Sequence, residues 1–338
     1  MPFAGYEMPV QYTSIIAEAK AVRESVGMFD VSHMARLQFT GSDVESFLEN
    51  VTSNDVSSVS VDGGQYSLLP NEQGGCVDDI IVYRLADRFN LVVNASNHEK
   101  DVDWLSSHVP SSVSLLDETD ETAMIAVQGP SAEAVLSLLA GLSLASVATF
   151  GVVNVVLAGV SVRAARSGYT GEDGFELICD AGSAEQLWGV LLEAGVVPCG
   201  LGSRDTLRVE AGLPLYGHEL NDELSPIAAG LGWVIGKSKS FIGSVPINAA
   251  RLNGTPSKLV GIKLASKRLT TPGMAVRVEG VEVGAVSSGI ISPTFDTALA
   301  LAFVGRDVAM GTACEVETRG KAESGEIVSK RFYKRPKG

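Results

Sequence analysis

Two adjacent carboxylates, Asp78 and Asp79, stand in the run GGQYSLLPNEQGGCVDDIIV, residues 63–82. The run reads as strand, turn, strand, with the acids where the second strand begins and Tyr66 on the first. Successive side chains of an extended backbone point to opposite faces. One acid can then reach solvent while the other points toward the core or a cleft. A carboxylate beside Ile80, Ile81, Val82 and Tyr66 is partly desolvated. Desolvation raises its pKa, which suits an acid that moves protons or stabilises a cation. The competing reading is a solvated pair that caps the turn.

Two further stretches carry polar chemistry. GYTGEDGFE, residues 168–176, sets Tyr169, Glu172, Asp173 and Glu176 among three glycines. Glycine lets the backbone turn tightly and approach a ligand. Glu176 lies between Phe175 and Leu177, in strand-like context, where a carboxylate can accept paired N–H groups from a heterocycle. A surface hairpin is the alternative. GLGSRDTLRVEAG, residues 200–212, places Arg204 and Arg208 four apart, on one face of a helix. An arginine grips a carboxylate through two parallel hydrogen bonds; an ion-pair network with Asp205 and Glu210 explains the same spacing. Together the stretches describe an aromatic, acid-lined pocket with an arginine, suited to a polar heterocycle bearing a carboxylate tail.

Other chemistries lack their residues. His33, His98, His108 and His218 have no metal-ligand spacing, and Cys76, Cys179, Cys199 and Cys314 form no CxxC pair. No metal site is expected, and reduced thiols are the default. There is no GxxxxGK[ST] loop, and GLG lacks the third glycine and preceding strand of a dinucleotide site. A net charge of −14 argues against a nucleic-acid partner. The N-terminal MPFAGYEMPVQY has no charged head before an apolar run, and no apolar run approaches a membrane span. A cytoplasmic protein with no membrane partner is the expectation.

The elements that must position these residues are readable in outline. Residues 13–26 predict a helix with Thr13 as cap and Gly27 as stop. MFDVSHMARLQFTG reads as one strand ending at Gly41; Val44, Phe47, Leu48 and Val51 then mark a short amphipathic helix capped by Ser42 or Asp43. RFNLVVNAS predicts a strand, HEKDVDWLSSHV a helix, and VSLLDETDETAMIAVQGP strand, acidic turn, strand. Helices follow over SAEAVLSLLAGL, SAEQLWGVLLEAG (cap Ser183) and SRDTLRVEAG, with strands VVNVVLAG, VSVRAARS and FELICD between them. From about residue 253 short strands recur between Gly, Pro and Asp turns, the texture of a separate barrel or sandwich. The whole reads as α+β, without the strict βαβ repeat of a doubly wound sheet. The tail KRFYKRPKG, basic at five of nine positions, reads as solvated.

MFDVSHM, LPNEQGGCVDDIIVYR, SGYTGEDGFEL, GSRDTLRVEAGLPLYGHEL and GAVSSGIISPT, in this order, resemble the aminomethyltransferase, or T-protein, of the glycine cleavage system. The resemblance runs from about residue 3 to the C-terminus. It implies a three-domain ring around a central folate channel: a discontinuous α+β domain of residues 1–37 and 120–205, a second of 38–119 and 206–252, and a C-terminal β-barrel or jelly roll of 253–338. It makes Asp79 the key acid. Tyr66 lines the channel, Asn94 is a pocket residue, Tyr169 and Glu176 meet the pteridine, and Arg204 meets the anionic side of folate. Trp233 and Tyr333 complete the folate contacts.

The chemistry implied is transfer of a one-carbon unit from the aminomethylated lipoyl arm of H-protein to tetrahydrofolate, with release of ammonia and no metal or flavin. The same superfamily holds folate-dependent demethylases and non-catalytic folate-binding proteins, and these are the alternatives. Tyr6 stands where the family has Trp, and Ala228 where it commonly has Glu. The basic tail from Lys330 to Lys337 is a candidate for a folate polyglutamate chain.

Overall fold

The computed structural model describes residues 1–318 and 320–336. Lys337, one of the basic tail residues, lies outside the described residues. Among the described residues the architecture is α+β: seven α-helices, a short two-stranded pair (Pro2–Phe3 and Tyr6–Glu7), two larger sheets and a closed barrel. A six-stranded sheet runs in the order Val152–Leu157, Val160–Ala165, Gly174–Asp180, Thr122–Gln128, Gly27–Asp30, Val197–Pro198. A five-stranded sheet runs Gly63–Pro70, Cys76–Arg84, Phe89–Val93, Ala35–Gly41, Val113–Asp117. The barrel closes six strands between Ser257–Leu264 and Lys321–Val328, as the late texture predicts.

The chain passes between the two sheets twice, and the first passage corrects the sequence reading. Residues 28–41 are two strands, Gly27–Asp30 and Ala35–Gly41, in different sheets. Met34 N–H closes a tight turn on the Val31 carbonyl between them. The strands Val113–Asp117 and Thr122–Gln128 likewise part to different sheets. The first helix spans Ile15–Glu24; Ser14, not Thr13, is its cap, accepting from Ala17 N–H at 3.1 Å. Gly27 opens the next strand and does not stop the helix. Asp43 takes the cap position of Val44–Val51 without a side-chain cap bond, and Val44, Phe47, Leu48 and Val51 are buried as the period predicts. The helix Ser244–Asn253 was not foreseen.

The Cys76–Arg84 strand is packed on both faces. Ile80 and Val82 join the core under the Val44–Val51 helix. Ile81 and Tyr83 meet Phe29, Met124 and Ala126 of the six-stranded sheet. Burial of this kind is worth about 1.5–3 kcal/mol per large side chain, so the strand is held as a fixed platform between the sheets. Residues 79, 81 and 83 share the inter-sheet face.

The helix Leu201–Ala211 binds the barrel to the rest. Val209 packs on Leu259, Ile290, Leu299 and Leu301. Glu210, fully buried, accepts from Arg23 Nε and Nη2 at 3.0 and 2.9 Å and from Thr294 Oγ1 at 2.9 Å. Arg208 reaches Glu219 at 2.8 Å and Ser288 Oγ at 2.8 Å. Buried charges persist only when paired in this way. Gly212 ends the helix in the left-handed conformation, at φ 70°.

Candidate active site

Asp79 pairs in register with Leu68 across the hairpin, and Tyr66 lies two residues further along the same face. That diagonal is within reach of an aromatic side chain. Tyr66 Oη donates to Asp79 Oδ2 at 2.8 Å. The adjacent strand, Phe89–Val93, ends at Asn94 and delivers a carboxamide to the same point. Asn94 Nδ2 lies 2.8 Å from both Asp79 Oδ1 and Asp78 Oδ1. Its backbone N–H donates to Asp78 Oδ2 at 2.9 Å, and Asn97 Nδ2 to Asp78 Oδ1 at 2.7 Å. One asparagine thus ties the two acids together.

Asp78 is fully buried, so it neither caps the turn nor faces away into solvent. Asn71 holds that turn, its Oδ1 accepting from Gln73 and Gly75 N–H. Gly75 is required there: a Cβ would sit 1.8 Å from the Asp222 carbonyl oxygen. Burial, and then the charge of Asp78, push the Asp79 carboxyl up to about 7, against the hydrogen bonds from Tyr66 and Asn94. Such an acid is charged or neutral at small energetic cost near neutrality, which suits a group that stabilises transient positive charge or moves a proton.

The second cluster comes from the Gly168–Glu176 turn and the Leu201–Ala211 helix. Thr170 is fully buried and Glu172 pairs with Arg23 at 2.9 Å, which excludes the free surface hairpin. Gly171, at φ 80°, brings the turn against Ala211. Tyr169 Oη donates to the Pro214 carbonyl, and Arg204 Cζ stands 4.9 Å from the Tyr169 ring centre. Arg204 and Arg208 share a helix but not a role. Arg208 makes the ion pairs, with Asp205 and Glu219; Arg204 keeps a buried Nη1 with no partner. Glu210 pairs with Arg23 instead. Glu176 is buried, accepts from Ser167 Oγ on Oε2, and is pushed upward by burial. Its Oε1 takes no hydrogen bond from the described residues. A donor on Arg204 and an acceptor on Glu176 are thus left for a ligand that offers both.

Two family models cover the chain: the GCVT N-terminal domain over residues 1–239, and the glycine cleavage T-protein C-terminal barrel domain over 258–334. The chain belongs to the glycine cleavage T-protein family. It is 46% identical over 337 residues to an aminomethyltransferase of Exiguobacterium sibiricum, covering 99% of this chain and 94% of the relative. An aminomethyltransferase of Geobacillus kaustophilus is 45% identical over 344 residues, covering 99% of this chain and 94% of the relative. The fold matches a crystal structure of the glycine cleavage system aminomethyltransferase T from Bartonella henselae with a TM-score of 0.91. That match is 32% identical and covers 98% of this chain and 93% of that one.

Within this T-protein fold, Trp233 is 68% exposed and stacks on Tyr66, ring centres 5.8 Å apart and planes 24° apart. A large exposed aromatic against the ring that holds Asp79 marks the mouth of the site. Tyr333 lies elsewhere: Arg23 sits 3.8 Å over its ring, and it lines a cavity of about 730 Å³ with Gly171, Glu172, Leu213 and Arg335. Ala228 is buried where its carbonyl accepts from Leu259 N–H of the barrel at 2.8 Å.

Three residues were missed by the sequence reading. Tyr83, at the period-two position from Asp79, carries the same face inward, and its Oη meets Ser167 Oγ at 2.9 Å. Ser167 thereby links the Asp79 strand to Glu176. His33 of the VSHM block is buried under Phe3 and Tyr6, with Nδ1 unpartnered. Burial, with the charge of Arg204, holds its ring neutral, down to about 4. Among the described residues no group of three or more His, Cys, Asp or Glu could hold a metal ion, and no helix is long and apolar enough to cross a membrane.

Proposed function

We propose that the protein is the tetrahydrofolate-dependent aminomethyltransferase of the glycine cleavage system. In this reading, the aminomethyl group on the lipoyl arm of H-protein meets tetrahydrofolate beside Asp79. Two bonds form from the carbon to folate nitrogens. The carbon–sulfur bond to the arm and the carbon–nitrogen bond to ammonia break. The two folate N–H protons leave on the thiol and on ammonia. The carbon is iminium-like in transit, and a carboxylate fixed beside it stabilises that charge without reorganising. Preorganised charge of this kind is commonly worth about 3–4 kcal/mol per group removed.

The observation that carries the reading is Asp79 held at both oxygens, by Tyr66 and Asn94, on a strand buried on both faces. Arg204 and Glu176 supply the unpartnered donor and acceptor that a pteridine with a carboxylate tail requires. Tyr66, Asn94, Tyr169 and Trp233 line the same folate site in this reading; Tyr333 takes the distal side. The domains run as residues 1–37 with 120–205, 38–119 with 206–252, and 253–338, around the folate channel. The four cysteines are free and buried, in keeping with a cytoplasmic protein that has H-protein as transient partner.

The test is incubation with aminomethylated H-protein and tetrahydrofolate, followed by assay of ammonia and methylenetetrahydrofolate. Stoichiometric formation of both supports the reading. Folate binding without turnover of that donor overturns it in favour of a demethylase acting on another donor.

A further inference from the structure

The helix His98–His108 carries, at its fourth position, an acid that makes none of the contacts holding Asp79. Asp101 is fully buried, and neither of its carboxyl oxygens has an N–H or hydroxyl donor. Its helix faces another carboxyl: Asn97, four residues before Asp101, donates to Asp78 Oδ1 at 2.7 Å, and the charge of Asp78 bears on Asp101. An ionised carboxylate only accepts hydrogen bonds, so two ionised groups cannot bond each other. A carboxyl buried without any donor keeps a proton instead of a charge, and Asp101 is such a group.

The surroundings decide which acid owns that proton. Asp78 accepts from Asn94 N–H, Asn94 Nδ2 and Asn97 Nδ2, donors that favour an ionised carboxylate. Asp101 has none of these. The nearby cation, Lys100, is turned to Tyr216 Oη and Asp222 Oδ2, at 2.5 and 2.8 Å. The other titratable groups around the cluster are Asp79, Tyr66 and Cys76, and none supplies positive charge.

We propose that Asp101 is a carboxylic acid protonated throughout the neutral range, whose O–H donates to Asp78 and so positions the Asp78–Asn94–Asp79 chain beneath the reacting carbon. It touches no substrate; it is a positioning residue. Burial and the charge of Asp78 agree with this, pushing the Asp101 carboxyl up to about 11. The consequence for Asp79 is electrostatic. With Asp101 neutral, Asp79 feels one neighbouring negative charge instead of two. A second would drive Asp79 further upward and leave it neutral at working pH.

The effect on turnover rests on the aminomethyltransferase reading; the protonation state does not, and the experiment separates them. Infrared difference spectra of the full-length protein, wild type minus Asp101→Asn, should show the carbonyl stretch of a protonated carboxyl at neutral and mildly alkaline pH. Absence of that band overturns the proposal whatever the enzyme does. In turnover, Asp101→Asn keeps a donor toward Asp78, so kcat should stay within about threefold of wild type with the acid limb of the pH profile unmoved. Asp101→Leu removes the donor and should cut kcat about tenfold or more while the folate KM holds within about twofold. A limb shifted about one unit or more to lower pH in Asp101→Asn would show that Asp101 had been charged, and overturns the proposal. Should neither the variants nor wild type turn over aminomethylated H-protein, the functional reading fails and the infrared result still stands.

Discussion

Tyr66 engages Asp79 and Trp233 at once: its hydroxyl donates to Asp79 Oδ2 at 2.8 Å while its ring stacks on the exposed indole 5.8 Å away. The acid's orientation is therefore coupled to the wall of the site mouth.

The first consequence is a pH profile. Asp79 is pushed up to about 7, so its ionised form, which on the proposed reading faces a cationic carbon, is lost as pH falls through that value. kcat should fall on the acid side with a midpoint near neutrality. Tyr66→Phe removes a hydrogen bond to the ionised form, worth about 1.5–3 kcal/mol, or about one to two pH units. The acid limb should move to higher pH by that order. Initial rates across the neutral range, at saturating folate, read the shift; an unmoved limb would detach Tyr66 from Asp79.

The two arginines of the Leu201–Ala211 helix should separate cleanly. Arg208→Met leaves Glu219, fully buried, without its cation. Removal of one member of a buried pair costs about 3–5 kcal/mol, and a thermal melt should show it. Arg204 has no ion-pair partner to orphan. Arg204→Met should change stability by about 1 kcal/mol or less, while calorimetry shows folate affinity down about ten- to hundredfold, as for a lost charge-assisted contact.

Glu176→Gln keeps size and shape but replaces an acceptor pair by a mixed donor and acceptor. The Ser167 contact survives through the amide oxygen. Folate affinity should fall by about tenfold or more if ring N–H groups are its partners. The same titration in Ser167→Ala, which frees Oε2 instead, should show a smaller loss.

The pH dependence of stability has a definite sign. Asp101 is pushed up to about 11 and Asp79 to about 7, both above their values in an unfolded chain. Between these limits the native state binds more protons than the unfolded state, so stability falls as pH rises. One group held protonated contributes about 1.4 kcal/mol of loss per pH unit. Asp101→Asn should flatten that decline from neutral to alkaline pH; denaturant midpoints at several pH values measure it.

Much of this was legible in the sequence, for physical reasons that differ by residue. The Gly63–Arg84 hairpin follows from apolar runs on either side of PNEQGG, and the barrel from short strands between regular turns. The break inside residues 28–41 was hidden, because buried apolar residues (Met28, Phe29, Val31, Ala35, Leu37 and Phe39) recur on both sides of it and do not show where the chain changes sheets. The burial of Asp78 was not legible, because alternation gives the face of a side chain but not what stands behind it. The Asn97 partner arrives from the turn that opens the His98–His108 helix, 19 residues on, once the chain has folded back. Tyr83 was recoverable: it lies four residues beyond Asp79, on the face already assigned to the site.

The central claim, that Asp79 acts on the transferring carbon and is not a folate-binding group, is tested most directly by Asp79→Asn. The amide keeps size and polarity, and Tyr66 and Asn94 remain to hold it. Folate affinity by calorimetry should stay near wild type, while kcat with aminomethylated H-protein drops at least about a hundredfold, the order expected for loss of one preorganised charge. Turnover near wild type with intact folate binding would remove Asp79 from the mechanism.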